Sequence, residues 1–333
     1  MRVGTITFAT TQGIAHLARD FWRNGVVQRL LLVKHRHYVN RPDLYPPEVS
    51  YPLSQLDSFL TGLDVLLLFE TDLSPDWHVS RLAKGRGIKV VLMPMYEYSP
   101  FPAPVELDLA LCPSKLDLDY YKDRYKSVYI PVPVEQTWRL RERALEFVHN
   151  AGHGQWDYAK GTVQLIGAME HVQAPIKLRI RYLPDAAKMK TLFYQHRDHP
   201  KIIWECAELP PDQLYASGDV FVNAEKLNGL SLPLQEAWAS GMVVCTTDRY
   251  PANDWLPTEP LIPVERYEKC RIPGGSGIEF DKAIVSPKDV ALTIDGIYGE
   301  DISRFSLAGR DYAEANSWAA LKPRYAKVLE ELL

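Results

Sequence analysis

Between Gly218 and Asp248 the chain reads GDVFVNAEKLNGLSLPLQEAWASGMVVCTTD, and no other stretch narrows the choice of fold so far. Residues 219–224 alternate apolar and small side chains as a short buried strand does, and residues 242–246 form a second apolar run of strand length. The segment between them reads as a helix. Pro233 suits its first turn, Leu232, Leu234, Ala237 and Trp238 give it apolar faces, and Ser240 with Gly241 stops it. A strand, loop, helix and strand in this order predict an α/β sheet. In such sheets ligands bind outside the carboxyl ends of the strands, where helix N-termini offer unpaired N–H groups and partial positive charge. That directs attention to loop 225–231, with Asn228, Gly229 and Ser231, and to Glu236 one helical turn inside the helix.

The rest of the chain repeats the theme. Strands are expected at 2–9, 26–33, 64–69, 89–93, 107–111 and 127–131, then at 145–150, 176–182 and 202–207, with helical patterns between them. Alternating strands and helices argue for parallel sheets covered on both faces. At 333 residues the chain is long enough for two such domains, each with its own core. The run VYIPVPV at 128–134 reads as the stiff passage between them. The expected division is 1–134, 135–305 and a helical tail 306–333, whose last helix spans 318–332.

Composition excludes more than it identifies. A net charge of −4 names no partner. Cys112, Cys206, Cys245 and Cys270 lie far apart without metal-ligand spacing and read as buried free thiols of a reducing compartment. No apolar run approaches a membrane span, the N-terminus opens directly on a strand, and a cytoplasmic protein is expected, a monomer or homodimer. Lys177, Arg179, Arg181, Lys188, Lys190, Arg197 and Lys201 make one region locally basic, with the first three on one strand face, as a surface facing duplex DNA would be.

The central stretch resembles the signature of family 4 glycosyltransferases, in which two glutamates flank seven residues. Here the pattern runs from Asn228, Gly229, Leu230, Ser231 and Leu232 to Glu236. The resemblance implies the GT-B fold: two Rossmann-like domains facing across a cleft, with a C-terminal helix crossing back to the first. It also implies transfer of a hexosyl or pentosyl group from a nucleotide-diphosphate sugar to an acceptor hydroxyl, with retention of configuration, no metal and no cofactor beyond the sugar donor. By the same resemblance Glu236 binds the ribose and Asn228, standing where a glutamate is expected, meets the donor sugar. Lys160 holds the diphosphate with His153, which stands where an arginine is expected, beside Gly154. The run 202–209, including Cys206, packs the nucleotide base.

In the first half, Thr11, Gln12 and Gly13 form the turn that resembles the family's cleft loop, and no G-x-G-x-x-G pattern supports dinucleotide binding there. Tyr96 and Glu97 follow the strand 89–93 at the same edge, where Glu97 can orient an acceptor hydroxyl or cap the turn 100–104. The run Lys34, His35, Arg36 and His37 is open to two readings, an acceptor contact or a solvated loop. The acceptor is expected to be a glycan or a hydroxymethylated base in phage DNA. A catalytically degenerate nucleotide-sugar binding module and an epimerase of the same fold are the alternatives.

Overall fold

The computed structural model describes residues 1–10, 13–36, 39–152, 157–257, 259–272 and 275–333, and among these the side chains of all but Asp157, Tyr158, Pro211 and Asp212. The chain divides into two compact units. Unit 1 comprises 1–132, 271–278 and 318–333; unit 2 comprises 133–270 and 279–317.

Unit 1 holds seven strands: β1 (Val3–Phe8), β2 (Arg29–Val33), β3 (Ser50–Pro52), β4 (Val65–Phe69), β5 (Lys89–Met93), β6 (Leu109–Cys112) and β7 (Ser127–Tyr129). Their order in the sheet is β3-β2-β1-β4-β5-β6-β7, with every pairing parallel. The central strands are apolar throughout because both faces are covered: all five residues of VLLLF in β4 are buried. The covering helices are α1 (Ile14–Arg23), α2 (Leu56–Leu60), α3 (His78–Gly85) and α4 (Lys115–Tyr121). The C-terminal segment of this unit packs on α1, where Phe21 meets the ring of Trp318 at 4.9 Å and that of Tyr325 at 5.0 Å, both edge-on. Tyr325 is fully buried, and its hydroxyl donates to the Pro131 carbonyl at 2.7 Å, which satisfies the one polar atom it carries inside.

Unit 2 repeats the plan with β8 (Phe147–Gly152), β9 (Leu178–Tyr182), β10 (Ile202–Cys206), β11 (Val220–Asn223), β12 (Val243–Thr247) and β13 (Leu261–Ile262), in the order β10-β9-β8-β11-β12-β13. These pairings are parallel as well. Its helices are α5 (Asp157–Lys160), α6 (Thr162–Ala168), α7 (Ala187–His196), α8 (Pro211–Leu214), α9 (Leu232–Ala239), α10 (Ala252–Trp255), α11 (Pro287–Ile297) and α12 (Ser303–Ala315); α13 (Trp318–Glu330) is the last helix of unit 1. Phe147, Val220, Val222 and Val243 face α6 and α11 through Leu165, Ile166, Val290 and Ile294. Val148, Phe221 and Val244 face α9 through Leu234 and Trp238. Tyr312 of α12 stacks on Trp238 at 4.6 Å and donates its hydroxyl to Gln235 Oε1 at 2.8 Å, which fixes α9 from outside.

Four details add to or depart from what the sequence suggests. Between Asp157 and Met169 lie two helices, because Gly161 takes a left-handed conformation (φ 67°) between α5 and α6. An antiparallel hairpin, β14 (Arg266–Cys270) with β15 (Phe280–Ile284), follows β13. Cys206 is exposed, unlike Cys112 and Cys245, because β10 is the edge strand of its sheet. The basic strand face is not a free cationic surface: Arg181 is buried, and Arg179 and Arg181 lie 3.7 and 2.9 Å from Glu205 on β10.

Candidate functional site

In unit 2 the chain steps outward from β8 to β10 and returns to β11 on the other side of β8. The crevice between the carboxyl ends of β8 and β11 is therefore the switch point at which open α/β sheets bind ligands. Lys160 stands there. Its Nζ lies 3.4 Å from the carbonyls of both Asn150 and Ala151 at the end of β8. Burial lowers its pKa, and the negative charges of Glu225 and Glu236 oppose that shift. Gly161 makes the placement possible: a Cβ at this position would stand 2.0 Å from the Ala224 carbonyl oxygen, so only glycine lets α6 begin against the end of β11.

The loop after β11 is organised around Glu225. It is buried at 2 % exposure, and its carboxylate gathers the loop. Asn228 Nδ2 donates to Glu225 Oε1 at 3.0 Å, Ser231 Oγ to Oε2 at 2.5 Å, and Arg249 Nη1 approaches Oε2 at 3.4 Å. Arg249, itself buried, also donates to the Asn228 carbonyl at 2.9 Å. Burial raises the Glu225 pKa against the pull of Arg249, Ser231, Asn228 and Lys160.

Asn228 has a second task in this loop. Its Oδ1 accepts the N–H groups of Leu230 at 3.1 Å and Ser231 at 2.9 Å, while those of Leu234 and Gln235 donate to the Ser231 carbonyl. Pro233 has no N–H, which leaves that of Leu232 as the donor available at the start of α9. The helix start thus offers less to an anion than a bare N-terminus would. Ser231 is left-handed (φ 52°), a conformation held by these bonds.

Glu236 sits on the second turn of α9, and the Tyr215 hydroxyl donates to its Oε2 at 2.8 Å. Tyr215 lies just after α8, buried and edge-on to Phe221. Beneath them Arg141 donates to the carbonyls of Gly218 (3.1 Å), Tyr215 (2.9 Å), Arg139 (3.0 Å) and Ser240, tying the start of β11 to the end of α9. Burial lowers its pKa to about 10.

Of the residues expected on this side, Lys160, Asn228, Gly229, Leu230, Ser231, Leu232 and Glu236 are brought to one edge of the sheet. Cys206 closes β10 at the same edge, two strands from β8. His153 and Gly154 lie outside the described residues. Tyr215, Arg249, Glu225 and Asn150 were not singled out from the sequence as site residues. For Asn150 a signal existed, since the dipeptide Asn-Ala recurs at 150–151 near the end of β8 and at 223–224 where β11 ends.

Unit 1 has its own carboxyl edge. Glu70 follows β4 in a left-handed conformation (φ 67°), its N–H donating to the Met93 carbonyl at 2.9 Å and its carbonyl accepting the Ser99 hydroxyl at 2.6 Å. Burial and the charge of Glu97 push its carboxyl up to about 7. Asp117, on α4, is buried and is likewise pushed up to about 8 by burial, with Glu97 adding to the shift and Ser114 and the Tyr96 N–H, at 2.9 Å, opposing it. Tyr96 is buried and stacks on Tyr120. The Glu97 carbonyl accepts the Ser276 N–H at 2.8 Å, and Gly275 packs against it. Gly13 stands at the head of α1 with a positive φ of 56°, whereas Thr11 and Gln12 lie outside the described residues. Lys34 and Arg36 are exposed, His35 packs edge-on to Phe8, and His37 is outside the described residues.

No family model and no curated protein sequence matches the chain. Its fold is nonetheless that of the GT-B glycosyltransferases. It is similar to HepE from Anabaena, solved with UDP and glucose, at 11 % identity and a TM-score of 0.67, covering 99 % of this chain and 100 % of that one. It is similar also to sucrose-phosphate synthase from Thermosynechococcus elongatus, at 14 % identity and 0.65 over 100 % and 99 % of the two chains. The lipopolysaccharide outer core galactosyltransferase WaaB follows at 12 % and 0.62, over 100 % of both. Against a chain of the GtfA/B complex the match, at 14 % and 0.58, covers 84 % of this chain and 59 % of the other, so this chain spans well under two thirds of that protein. Among the described residues no helix is long and apolar enough to cross a membrane.

Proposed function

We propose that the chain is a nucleotide-sugar-dependent glycosyltransferase of family 4 type that moves a hexosyl or pentosyl group to an acceptor hydroxyl with retention and without a metal. The observation that carries this is the position of Lys160 at the switch point of unit 2, between two strand-end carbonyls and beside Glu225 and Glu236. In the reaction the bond from the sugar to the diphosphate breaks, one to the acceptor oxygen forms, and the proton of the acceptor hydroxyl passes to the departing diphosphate. Lys160, with His153, balances the charge gathering on the departing diphosphate, and the Leu232 N–H adds a donor. Glu236 binds the ribose. Asn228 holds the donor sugar only by sharing the hydrogen bonds that shape its loop, so Glu225 acts through it as a positioning residue. The base packs along 206–209, and Tyr96 and Glu97 belong to the acceptor side.

HepE was solved with UDP and UDP-glucose, which makes a uridine donor the first to test here. The acceptor is proposed to be a glycan. Duplex DNA with hydroxymethylated bases is the weaker choice, because the basic strand that suggested it is paired with Glu205. The occupied side chain of Asn228 favours a second reading, a binding module that no longer transfers. A cytoplasmic enzyme without a membrane span is the expected setting.

The test is a thermal-shift and hydrolysis screen against a panel of nucleotide sugars with the wild type, Lys160→Ala and Glu236→Ala. Stabilisation by one donor, lost in both variants, with slow release of nucleoside diphosphate, supports the transferase. Stabilisation without hydrolysis or transfer supports the binding module. No stabilisation by any donor sinks both.

A further inference from the structure

At the carboxyl edge of the unit 2 sheet a row of polar side chains crosses five strands. Glu205 on β10 pairs in register with Arg181 on β9, and Arg181 with Asn150 on β8. The β8–β11 register continues to set Asn150 opposite Asn223, and Asn223 pairs with Thr246 on β12. Partners in parallel strands share a face, and two residues earlier Val148, Phe221 and Val244 pack with Leu234 and Trp238. The row therefore faces α8 and α9.

Its flanks are satisfied from within. Arg181 donates to Glu205 at 2.9 Å and to Ser217 at 2.6 Å, and Thr246 donates to the Asn223 carbonyl at 2.7 Å. Its middle is not. Among the described residues Asn150 Oδ1 and Asn223 Oδ1 have no hydrogen-bond partner, and Asn150 Nδ2 has none besides the Tyr215 hydroxyl close by, although Asn150 is 9 % and Asn223 3 % exposed. Buried polar atoms are nearly always paired, and such exceptions call for a ligand or a held water. Tyr215, whose hydroxyl donates to Glu236, abuts Asn150. Two acceptors and at least one of the two Asn150 N–H groups are left unmatched. A phosphate, which only accepts, fits them poorly; neighbouring hydroxyl groups, which both donate and accept, fit them well.

We propose that Asn150 and Asn223 read the ribose hydroxyls of the nucleoside diphosphate beneath Glu236 and so make the site select ribonucleotides over deoxyribonucleotides. This rests on the donor-site reading of Glu236 given above. A carboxylate alone accepts from the two hydroxyls; the amides supply the donor that it lacks and further acceptors. Tyr215 is then a positioning residue that orients Glu236 over the pair.

The experiment is calorimetric titration of the whole protein with UDP, ADP and GDP, followed by the 2′-deoxy and 3′-deoxy forms of whichever binds. It is repeated with Asn150→Ala and Asn223→Ala, and with Asn223→Ser in case alanine disturbs folding. The wild type is expected to prefer the ribose form by about tenfold or more, the worth of one or two hydrogen bonds to a hydroxyl. The variants should lose most of that preference while their affinity for the deoxy form stays within about twofold. A wild type that binds both forms equally, or variants that keep its preference, overturn the proposal and leave the donor site standing. Failure of the wild type to bind any of the three diphosphates removes the donor-site reading and this proposal with it.

Discussion

The carboxyl edges of the two sheets are built on one topology and carry opposite arrangements of charge. In unit 2 the buried Glu225 is met by Arg249 and Lys160, and its oxygens are bonded by the loop they shape. In unit 1 the charge of Glu97 raises the pKa of both Glu70 and Asp117, and burial rather than a cation dominates the two shifts. An edge with fixed cations suits a diphosphate. An edge whose carboxyls titrate near neutrality suits a hydroxyl, whose proton it can accept or share. The fold supplies the place in each case, and a few buried side chains decide what it attracts.

The largest expected effect lies in the balanced edge. Arg249→Met leaves Glu225 buried without its cation, and breaking a buried pair in this way costs about 3–5 kcal/mol. Urea unfolding at pH 7.5 measures it, and Glu225→Gln in the same chain should recover most of the loss because the two residues act as a unit. A loss below about 1 kcal/mol would mean that the loop does not need Arg249, and the contrast between the edges would fade. Gly161→Ala follows at about 3 kcal/mol, since it adds a left-handed penalty to a Cβ overlapping the Ala224 carbonyl. It should weaken nucleotide binding as well, by moving Lys160. Retained stability together with retained binding would count against the close approach of α6 to β11.

These residues also mark the limit of what can be read along the chain. The two parallel sheets were legible because strands buried on both faces leave near-continuous apolar runs, as VLLLF in β4 and VVCTT in β12 do. Lys160 and Glu236 were legible from a local pattern. Glu225 and Arg249 were not, because 24 residues separate partners that only the folded loop brings together. Tyr215 reaches Glu236 from a short helix whose own sequence says nothing of it, and Glu70 reads as the polar end of a strand until the neighbouring loops bury it. The hairpin β14–β15 escaped notice for the reverse reason: its residues are mostly polar and only Phe280 and Ala283 are buried, so no apolar alternation announces it. Arg179 and Arg181 show the same limit, since a strand of cations looks like a binding face until its neighbour supplies Glu205.

The unbalanced edge gives a smaller effect that depends on pH. Burial and the charge of Glu97 push the Glu70 carboxyl up to about 7 in the folded protein, against an ordinary value of 4.5. The folded state therefore binds the proton more tightly, and stability from this group is lost as pH rises between those values. The loss amounts to at most about 3 kcal/mol, and to about 2 after allowance for partial exposure. Glu70→Gln should accordingly leave stability near the wild-type value at pH 4 and raise it at pH 8, with the difference developing between pH 5 and 7. Parallel stability–pH curves for the two proteins would show that Glu70 is not held against its charge.

The smallest perturbation uses a thiol already present at each edge. Cys112 ends β6 in unit 1 and Cys206 ends β10 in unit 2. Cys112 is fully buried and its thiol is pushed far up by burial, and Cys245 within β12 is pushed up to about 12. Cys206 is exposed on an edge strand. A maleimide reagent should therefore modify Cys206 in the native protein within minutes and reach Cys112 and Cys245 only on unfolding, with no measurable change in the unfolding midpoint. Mass spectrometry after a short pulse reports the sites. If the nucleotide base packs along 206–209, saturating nucleoside diphosphate should slow modification of Cys206 severalfold and leave Cys270 unchanged. Equal rates with and without nucleotide would move the base away from β10 while leaving the roles of Lys160 and Glu236 untouched, because those rest on the crevice between β8 and β11.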